Sequence, residues 1–451
     1  MKIHFIAIGG SVMHNLAIAL HKQGHIVTGS DDEIFEPAKT RLEKHGLLPG
    51  VAGWNPQLIK PGLDSVILGM HAKNDNPELV RARELGIKIY SFPEYLYEQT
   101  KNKKRIVIAG SHGKTTVTSM IMHVLNDRGY NFDYMVGSIL EGFDTMVELK
   151  EENEIAIFEG DEYLTSPIDR RPKFHLYKPH ISLITGIAWD HINVFPDYDN
   201  YVEQFRIFAG MTSEVLIYYQ GDPLVSSIAE KYHKEIQLLP YNEVLSCIDG
   251  KKTLVEHHSV AVSLEIFGSH NMQNLTGAMQ VCKLLGISEK EFLFSMVSFR
   301  GAAKRQEHMA GDDHHDVYLD FAHAPSKVKA TVDAFRQQFT NRKFIACLEL
   351  HTFSSLNEAF LPQYKDSLNL AQTAIVYYDP EVLKHKNLPQ LDPIRIREAF
   401  GRNDLVIIKK SKDIEPELLK HKNDTSILLI MTSGNFSGLD IRTLAENYIS
   451  E

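Results

Sequence analysis

Apolar and polar positions along this chain recur in one order. A short β-branched run comes first, then a glycine turn, then a stretch with apolar residues three and four apart. Residues 3–8 read as a strand, and Gly9–Gly10 as a turn. Met13, Leu16, Ala17 and Leu20 form one helical face that Gly24 ends, and residues 26–28 read as a second strand. The order repeats at residues 106–109, a buried strand followed by the tight loop Gly110 to Gly113. Val117, Met120, Ile121, Val124 and Leu125 then share a helical face closed by Gly129. Further apolar runs predict strands at 66–69, 87–91, 155–158 and 181–187. Another set falls at 317–321, 344–348, 374–378, 405–408 and 427–431, with an amphipathic helix over 327–339. Strands alternating with helices predict an α/β protein with mostly parallel sheets. No internal repeat or low-complexity tract interrupts the pattern.

The 451-residue length suits two to four domains. Pro93 and the basic run Lys101–Asn102–Lys103–Lys104 suggest a linker, although such a run also reads simply as solvated surface. With 48 basic and 58 acidic residues the net charge is −10, which argues against general binding to nucleic acid or an anionic membrane. Cys247, Cys282 and Cys347 are far apart and show no metal-ligand spacing, so a reducing compartment is expected. The first residues lack the apolar core of a signal peptide, and no apolar run reaches about 18 residues. The expected location is the cytoplasm, without a membrane anchor.

Chemistry concentrates at Gly110–Ser111–His112–Gly113–Lys114–Thr115–Thr116. Strand, glycine loop, Lys-Thr and helix together form a cradle for a nucleotide triphosphate. Backbone N–H groups and the helix N-terminus hold phosphates, the lysine reaches the β/γ oxygens, and the threonine hydroxyl ligates Mg²⁺. The full pattern wants a glycine where Ile108 stands. The alternative is a strand–turn–helix whose lysine is merely solvated. Glu159–Gly160–Asp161–Glu162–Tyr163 follows a buried strand, and Asp190–His191 follows another. Acidic loops are usually solvated and an Asp-His pair is usually a local hydrogen bond. A parallel sheet, however, would bring both strand ends to the edge that carries the phosphate loop.

At the N-terminus, Asp31 lies about 20 residues past the glycine turn, the dinucleotide-fold arrangement. Ala7 and Val12 stand where the first and third glycines of that fingerprint belong, so another diphosphate suits the turn at least as well as NAD. His270–Asn271–Met272–Gln273–Asn274 reads as a loop opening a helix, its asparagines either capping the helix or reading a base edge. Gly311–Asp312–Asp313–His314–His315–Asp316 looks metal-binding at first sight but is better read as a solvated hairpin turn. Gly301 and Ser433–Gly434–Asn435 mark further loops near a cleft.

Taken together these residues resemble the Mur ligases, ATP-dependent amide-bond-forming enzymes of bacterial cell-wall synthesis. The loop at 110–116 is similar to the family's phosphate loop, which lacks the distal glycine. Residues 159–163 resemble its Glu-Ala-Asp-Glu motif, and Asp190–His191 its Asp-His. His270–Asn271 with Asn274 matches its His-Asn-x-x-Asn. Gly301 with Lys304–Arg305–Gln306–Glu307 matches its Gly…Arg-Arg-x-Glu segment, and residues 320–325 resemble Asp-Tyr-Gly-His-His-Pro, with Ala324 in place of the second histidine. Six motifs in the family's order span almost the whole chain.

The resemblance implies three domains: a Rossmann-like UDP-sugar-binding domain (1–103), a central P-loop ATPase-like domain (104–298) and a Rossmann-like acceptor-binding domain (299–451). It implies ATP and Mg²⁺ as cofactors, with UDP-N-acetylmuramate and a murein peptide as partners. A monomer or weak homodimer is expected. By resemblance Gly110, Ser111, His112, Gly113, Lys114, Thr115 and Thr116 hold the phosphates, and His270, Asn271 and Asn274 line the adenine pocket. Arg305 contacts the γ-phosphate and Asp320 the ribose. Thr115, Glu159 and His191 bind metal, Lys114, Glu159, His191 and Arg305 carry the catalysis, and Gly9, Gly10, Ser11, Asp31 and His71 hold the UDP portion. An acyl phosphate on the sugar's lactyl carboxylate is then attacked by the acceptor amine, in a site expected to close around ATP.

Two branches of the family share the N-terminal turn. One adds L-alanine, and the other attaches a recycled tripeptide, L-alanyl-γ-D-glutamyl-meso-diaminopimelate. Residues 169–174, Leu348–Glu349 and 431–438 look more like the second. His351–Thr352–Phe353–Ser354–Ser355 lacks the arginines by which the first grips its amino acid, although Thr352 departs from the second branch too. Arg206 falls where some members carry a carbamylated lysine, so no carbamylation is expected. The rival readings are an L-alanine ligase, a nicotinamide-dependent oxidoreductase using the first βαβ unit, and a catalytically silent nucleotide-binding regulator.

Overall fold

The structure, a computed structural model, describes residues 1–189, 194–258, 260–302 and 304–450. The chain divides into two compact units. The first comprises Met1–Ile187, Asp197–Asn242 and Gly277–Gly286, and the second Ala188–Pro196, Glu243–Thr276 and Ile287–Glu451. Both are α/β, with mostly parallel sheets, as the apolar pattern predicts.

The first unit holds two sheets. The N-terminal one has four parallel strands in the order Ile26–Ser30, Lys2–Ile6, Ser65–Leu68, Ile89–Ser91. The other has seven strands. Lys104–Ala109 lies between Ile181–Ile184 and Ile155–Glu159, and only the edge hairpin of Asp133–Met135 with Val147–Glu148 is antiparallel. Ile106 to Ala109 are fully buried, as expected of strands covered on both faces. The helix Ser11–Lys22 docks on the edge hairpin through Asn15, whose amide oxygen accepts from the Met146 N–H (3.1 Å) and from Arg41 (3.1 Å).

The second unit contains an antiparallel sheet of Ser246–Asp249, Lys252–His257 and Val260–Leu264. Its larger sheet runs Glu307–Gly311, His315–Asp320, Ser426–Met431, Lys343–Glu349, Thr373–Tyr377, Val406–Ile408, parallel except for the first pair. The helix Pro325–Gln338 packs Val328, Val332 and Phe335 against one face of that sheet.

Two details differ from the sequence expectation. Pro93 marks no break. It sits in the first turn of the helix Phe92–Thr100, where its missing N–H would have no partner in any case. Lys103 is not a solvated charge, because its ammonium lies 2.7 Å from the buried Asp133 carboxylate. The acidic stretch after Gly311 does make the expected hairpin turn, with Asp312 accepting from the His314 N–H at 2.7 Å, but it is not solvated throughout, because His315 and Asp316 open the strand His315–Asp320 and are buried. Among the described residues no helix is long and apolar enough to cross a membrane.

Candidate active site

Between the strand Lys104–Ala109 and the helix Lys114–Asp127 the chain turns through two glycines in the left-handed region, Gly110 (φ +130°) and Gly113 (φ +77°). A Cβ on Gly110 would lie 2.0 Å from the Thr185 hydroxyl oxygen, so only glycine fits. Thr185 follows the neighbouring strand Ile181–Ile184 and donates to the His112 carbonyl, and the Ser111 N–H donates to the Gly186 carbonyl at 2.9 Å. The loop is thus fixed by one side-chain and one backbone hydrogen bond to the neighbouring strand end and opens directly into a helix N-terminus.

Lys114 turns back over this loop. Its ammonium donates to the Gly110 carbonyl at 2.5 Å and lies 2.7 Å from Glu162 Oε2. Glu162 is fully buried, and its other oxygen accepts from the Tyr201 hydroxyl at 3.1 Å. That hydroxyl is in turn 2.8 Å from Ser111 Oγ. Burial alone would depress the Lys114 ammonium. The negative charges of Glu162 and Asp161 outweigh it and hold the group above its ordinary range. A cation is therefore kept charged at the mouth of the glycine loop.

Glu159 ends the strand Ile155–Glu159. One of its oxygens accepts from the Thr115 hydroxyl at 2.9 Å, and the other from the Gly137 N–H at 2.7 Å. Burial raises its pKa, against the pull of the Gly137 N–H and the Lys114 charge. Cis oxygens around Mg²⁺, with bonds of about 2.0–2.1 Å, stand about 2.9 Å apart. The Thr115–Glu159 spacing and the all-oxygen donor set fit that ion. Its charge, once held there, would offset negative charge on a phosphate and reverse the burial effect on Glu159.

In the second unit another group of expected residues comes together. Asn271, in the first turn of the helix Ser269–Leu284, donates to the Phe267 carbonyl (3.0 Å) and to Gln306 Oε1 (2.8 Å). It lies inside the helix, two residues past its first residue Ser269. Asn274 reaches Asn271 at 3.5 Å. The Gln306 N–H donates to Asp320 Oδ2 at 2.8 Å, and Asp320 Oδ1 accepts from the Ala322 N–H at 2.7 Å. Arg305 stacks its guanidinium 4.2 Å from the Phe321 ring centre, flanked by Lys304 and Gln306 at φ +56° and +49°. Burial raises the Asp320 pKa against the Arg305 charge, and burial lowers that of His270 to about 4. Asp190 and His191 lie outside the described residues.

At the N-terminal turn, Asp31 is 1 % exposed. Its carboxylate accepts from the Gly9 N–H at 2.6 Å and pairs with His71 at 2.7 Å. Gly10 precedes the helix that Ser11 opens. Ala7 has φ +68°, so its position does take the left-handed backbone that a first glycine supplies. Val12 lies inside the helix, where no glycine is needed.

The sequence reading gave no role to Glu162, Tyr201, Thr185 or Gly137. Glu162 lay within a quoted motif, and Thr185 within an expected strand. No local signal marks Tyr201, 39 residues from the carboxylate it serves.

A glycine loop, a charged lysine and a Thr-Glu oxygen pair on mostly parallel α/β sheets form an arrangement that suits a nucleotide triphosphate. Residues 2–104 match the Mur ligase family catalytic domain, and residues 108–282 the Mur ligase middle domain. UDP-N-acetylmuramate–L-alanine ligase of Caldicellulosiruptor bescii is 31% identical over 404 residues, covering 86% of this chain and 85% of its own. The Lactobacillus johnsonii protein of that name is 29% identical, with 96% of each chain covered. Among solved structures, a murein peptide ligase of Psychrobacter arcticus aligns with TM-score 0.68 at 23% identity over 99% of both chains. UDP-N-acetylmuramate–alanine ligase of Thermotoga maritima aligns with TM-score 0.72 at 21% identity, over 99% of this chain and 98% of that one. The chain belongs to the Mur ligase family and is an ATP-dependent amide ligase.

Proposed function

We propose that this ligase joins UDP-N-acetylmuramate to the tripeptide L-alanyl-γ-D-glutamyl-meso-diaminopimelate, in the recycling of cell-wall peptides. One observation carries the choice of acceptor. The loop after the strand Lys343–Glu349 presents His351–Thr352–Phe353–Ser354–Ser355, with no guanidinium. Thr352 and Ser355 bond each other there at 2.9 Å instead of reaching outward. A free amino acid offers little besides its carboxylate to hold, and a loop without arginine holds that poorly. A longer peptide supplies contacts elsewhere.

The residue roles follow the chemistry. A carboxylate is a poor electrophile, because amide formation would expel oxide; phosphorylation gives it a leaving group. Lys114 and the N–H groups of residues 110–116 steady the β- and γ-phosphates. Thr115 and Glu159 hold Mg²⁺, with His191 assigned to a second ion. Arg305 is assigned to the γ-phosphate, Asp320 to the ribose, and His270, Asn271 and Asn274 to adenine. Gly9, Gly10 and Ser11 face the UDP portion, and Asp31 orders that turn together with His71. Domains of 1–103, 104–298 and 299–451 and a cytoplasmic location complete the proposal.

The reading as an L-alanine ligase is supported by the names of the sequence relatives quoted above. ADP release coupled to a chromogenic readout decides between them. With UDP-N-acetylmuramate present, turnover with the tripeptide at least tenfold above that with L-alanine is expected. Equal or greater turnover with L-alanine overturns the proposed acceptor.

A further inference from the structure

In the second unit, outside every residue assigned to ligation, two adjacent histidines converge on one carboxylate. His257 ends the strand Lys252–His257, pairing in register with Val260 of the next strand. Glu289 opens the helix Glu289–Met296, behind its cap Ser288. His257 Nε2 lies 3.1 Å and His258 Nε2 3.5 Å from the same Glu289 oxygen, and the two ring centres are 4.2 Å apart. One ligand atom from each residue falls within 4.8 Å of the other two.

Adjacent residues in a strand point to opposite faces, so neighbouring histidines do not ordinarily share a partner. Here the chain leaves strand geometry at His258, whose φ is +44°. A two-residue hairpin loop ordinarily takes positive φ at its first position, so the turn itself accounts for this conformation. The left-handed turn brings the second ring round onto the carboxylate already met by the first.

We propose that His257, His258 and Glu289 form a site for a divalent transition metal, with Zn²⁺ its occupant. Two imidazoles and a carboxylate are a donor set that Zn²⁺ accepts, with bonds of about 2.0–2.1 Å. The edge of a tetrahedron with such bonds is about 3.3–3.4 Å. The two nitrogen–oxygen separations, 3.1 and 3.5 Å, bracket that length. The fourth position faces solvent, because His258 is exposed. The ion ties the tip of a hairpin to the start of a helix, a positioning function separate from ligation. Alternatively the cluster is a pair of histidine–carboxylate ion pairs without affinity for metal.

The test uses the full chain, stripped of metal on a chelating resin and titrated with Zn²⁺ against a chromophoric competitor at pH 7.5. One equivalent is expected to bind, and Zn²⁺ is expected to raise the thermal midpoint. Co²⁺ in its place should give the intense visible absorption of a tetrahedral site. His258→Ala, which removes an exposed side chain without disturbing packing, and Glu289→Gln should each weaken that equivalent at least tenfold and remove the Co²⁺ bands. Mg²⁺-dependent ligation should stay within twofold of the parent. Absence of a stoichiometric equivalent in the parent overturns the proposal, as does an equivalent whose affinity survives both substitutions.

Discussion

The ammonium of Lys114 and the carboxylate of Glu162 lie 2.7 Å apart, the lysine at the start of a helix and the glutamate 48 residues further along the chain. Both are largely shielded from water. Burial alone would drive the lysine toward its neutral form, and the charges of Glu162 and Asp161 outweigh it and hold the ammonium above its ordinary range. The glycine loop therefore holds a lysine that is already positive, its ammonium on the Gly110 carbonyl and the Glu162 carboxylate.

Glu162→Gln removes the partner that outweighs burial. The Lys114 pKa should fall, and the alkaline limb of the kcat/KM profile should move to lower pH. An unmoved limb would mean that Asp161 and the bound phosphates suffice to keep the lysine charged.

Gly110→Ala tests the loop itself. Its Cβ would meet the Thr185 hydroxyl oxygen at 2.0 Å, at a φ of +130° that alanine resists. Affinity for a fluorescent ATP analogue should drop at least tenfold, with a lowered thermal midpoint. Normal binding would show that the loop adopts another path.

Asp316 is fully buried and meets three side chains: the cations Arg342 and Lys251, and the His308 ring. Lys251 and His308 are about half exposed and lose little when freed. Arg342 is mostly buried, so removing its carboxylate strands a charge. Asp316→Ala should cost about 3 kcal/mol in urea unfolding. A cost below about 1 kcal/mol would show that the carbonyls of His314 and Ser426, which also accept from Arg342, satisfy it.

The His71–Asp31 pair gives a pH dependence. The hydrogen bond to Asp31 raises the His71 pKa above 6.5. For Asp31, burial alone would raise the pKa, but the bonds from His71 and the Gly9 N–H bring it below 3.8. The histidine's contribution to stability is complete below pH 6.5 and is lost as pH rises through its folded value. The aspartate's is complete above pH 3.8 and is lost as pH falls through its own. His71→Gln should therefore destabilise more at pH 6 than at pH 8.5, read as denaturant midpoints. An equal deficit at both would exclude the ion pair as its source.

The sequence was most readable where burial was continuous. Ile106 to Ala109 sit in the middle of a covered parallel sheet, so every position is apolar and the strand announces itself. In the antiparallel sheet over residues 246–264, Ser246 to Asp249 are all exposed and carry no period, and the other two strands bury only alternate positions such as Thr253, Val255, Val262 and Leu264, so no continuous apolar run marks the sheet. Pro93 and Lys103 were misread for one reason: each residue type has a surface meaning and an interior one. Only the helix start at Phe92 and the buried Asp133 select the second. Thr115 and Glu159 were legible as an oxygen pair because strand order in a parallel sheet places strand ends together. Tyr201 was not, because its role depends on a helix packing that no spacing records. Ala7 holds a glycine's conformation without being one, which is why a broken fingerprint still folds as the turn it resembles.

Lys114→Ala tests the central claim most directly, with ADP release and UDP-N-acetylmuramate binding measured on the same preparation. Ligation-coupled ADP release should be abolished, while the UDP-sugar dissociation constant by calorimetry stays within about twofold of the parent. Retained turnover, or loss of sugar binding together with turnover, would contradict an enzyme whose triphosphate chemistry rests on this lysine while a separate turn holds the sugar nucleotide.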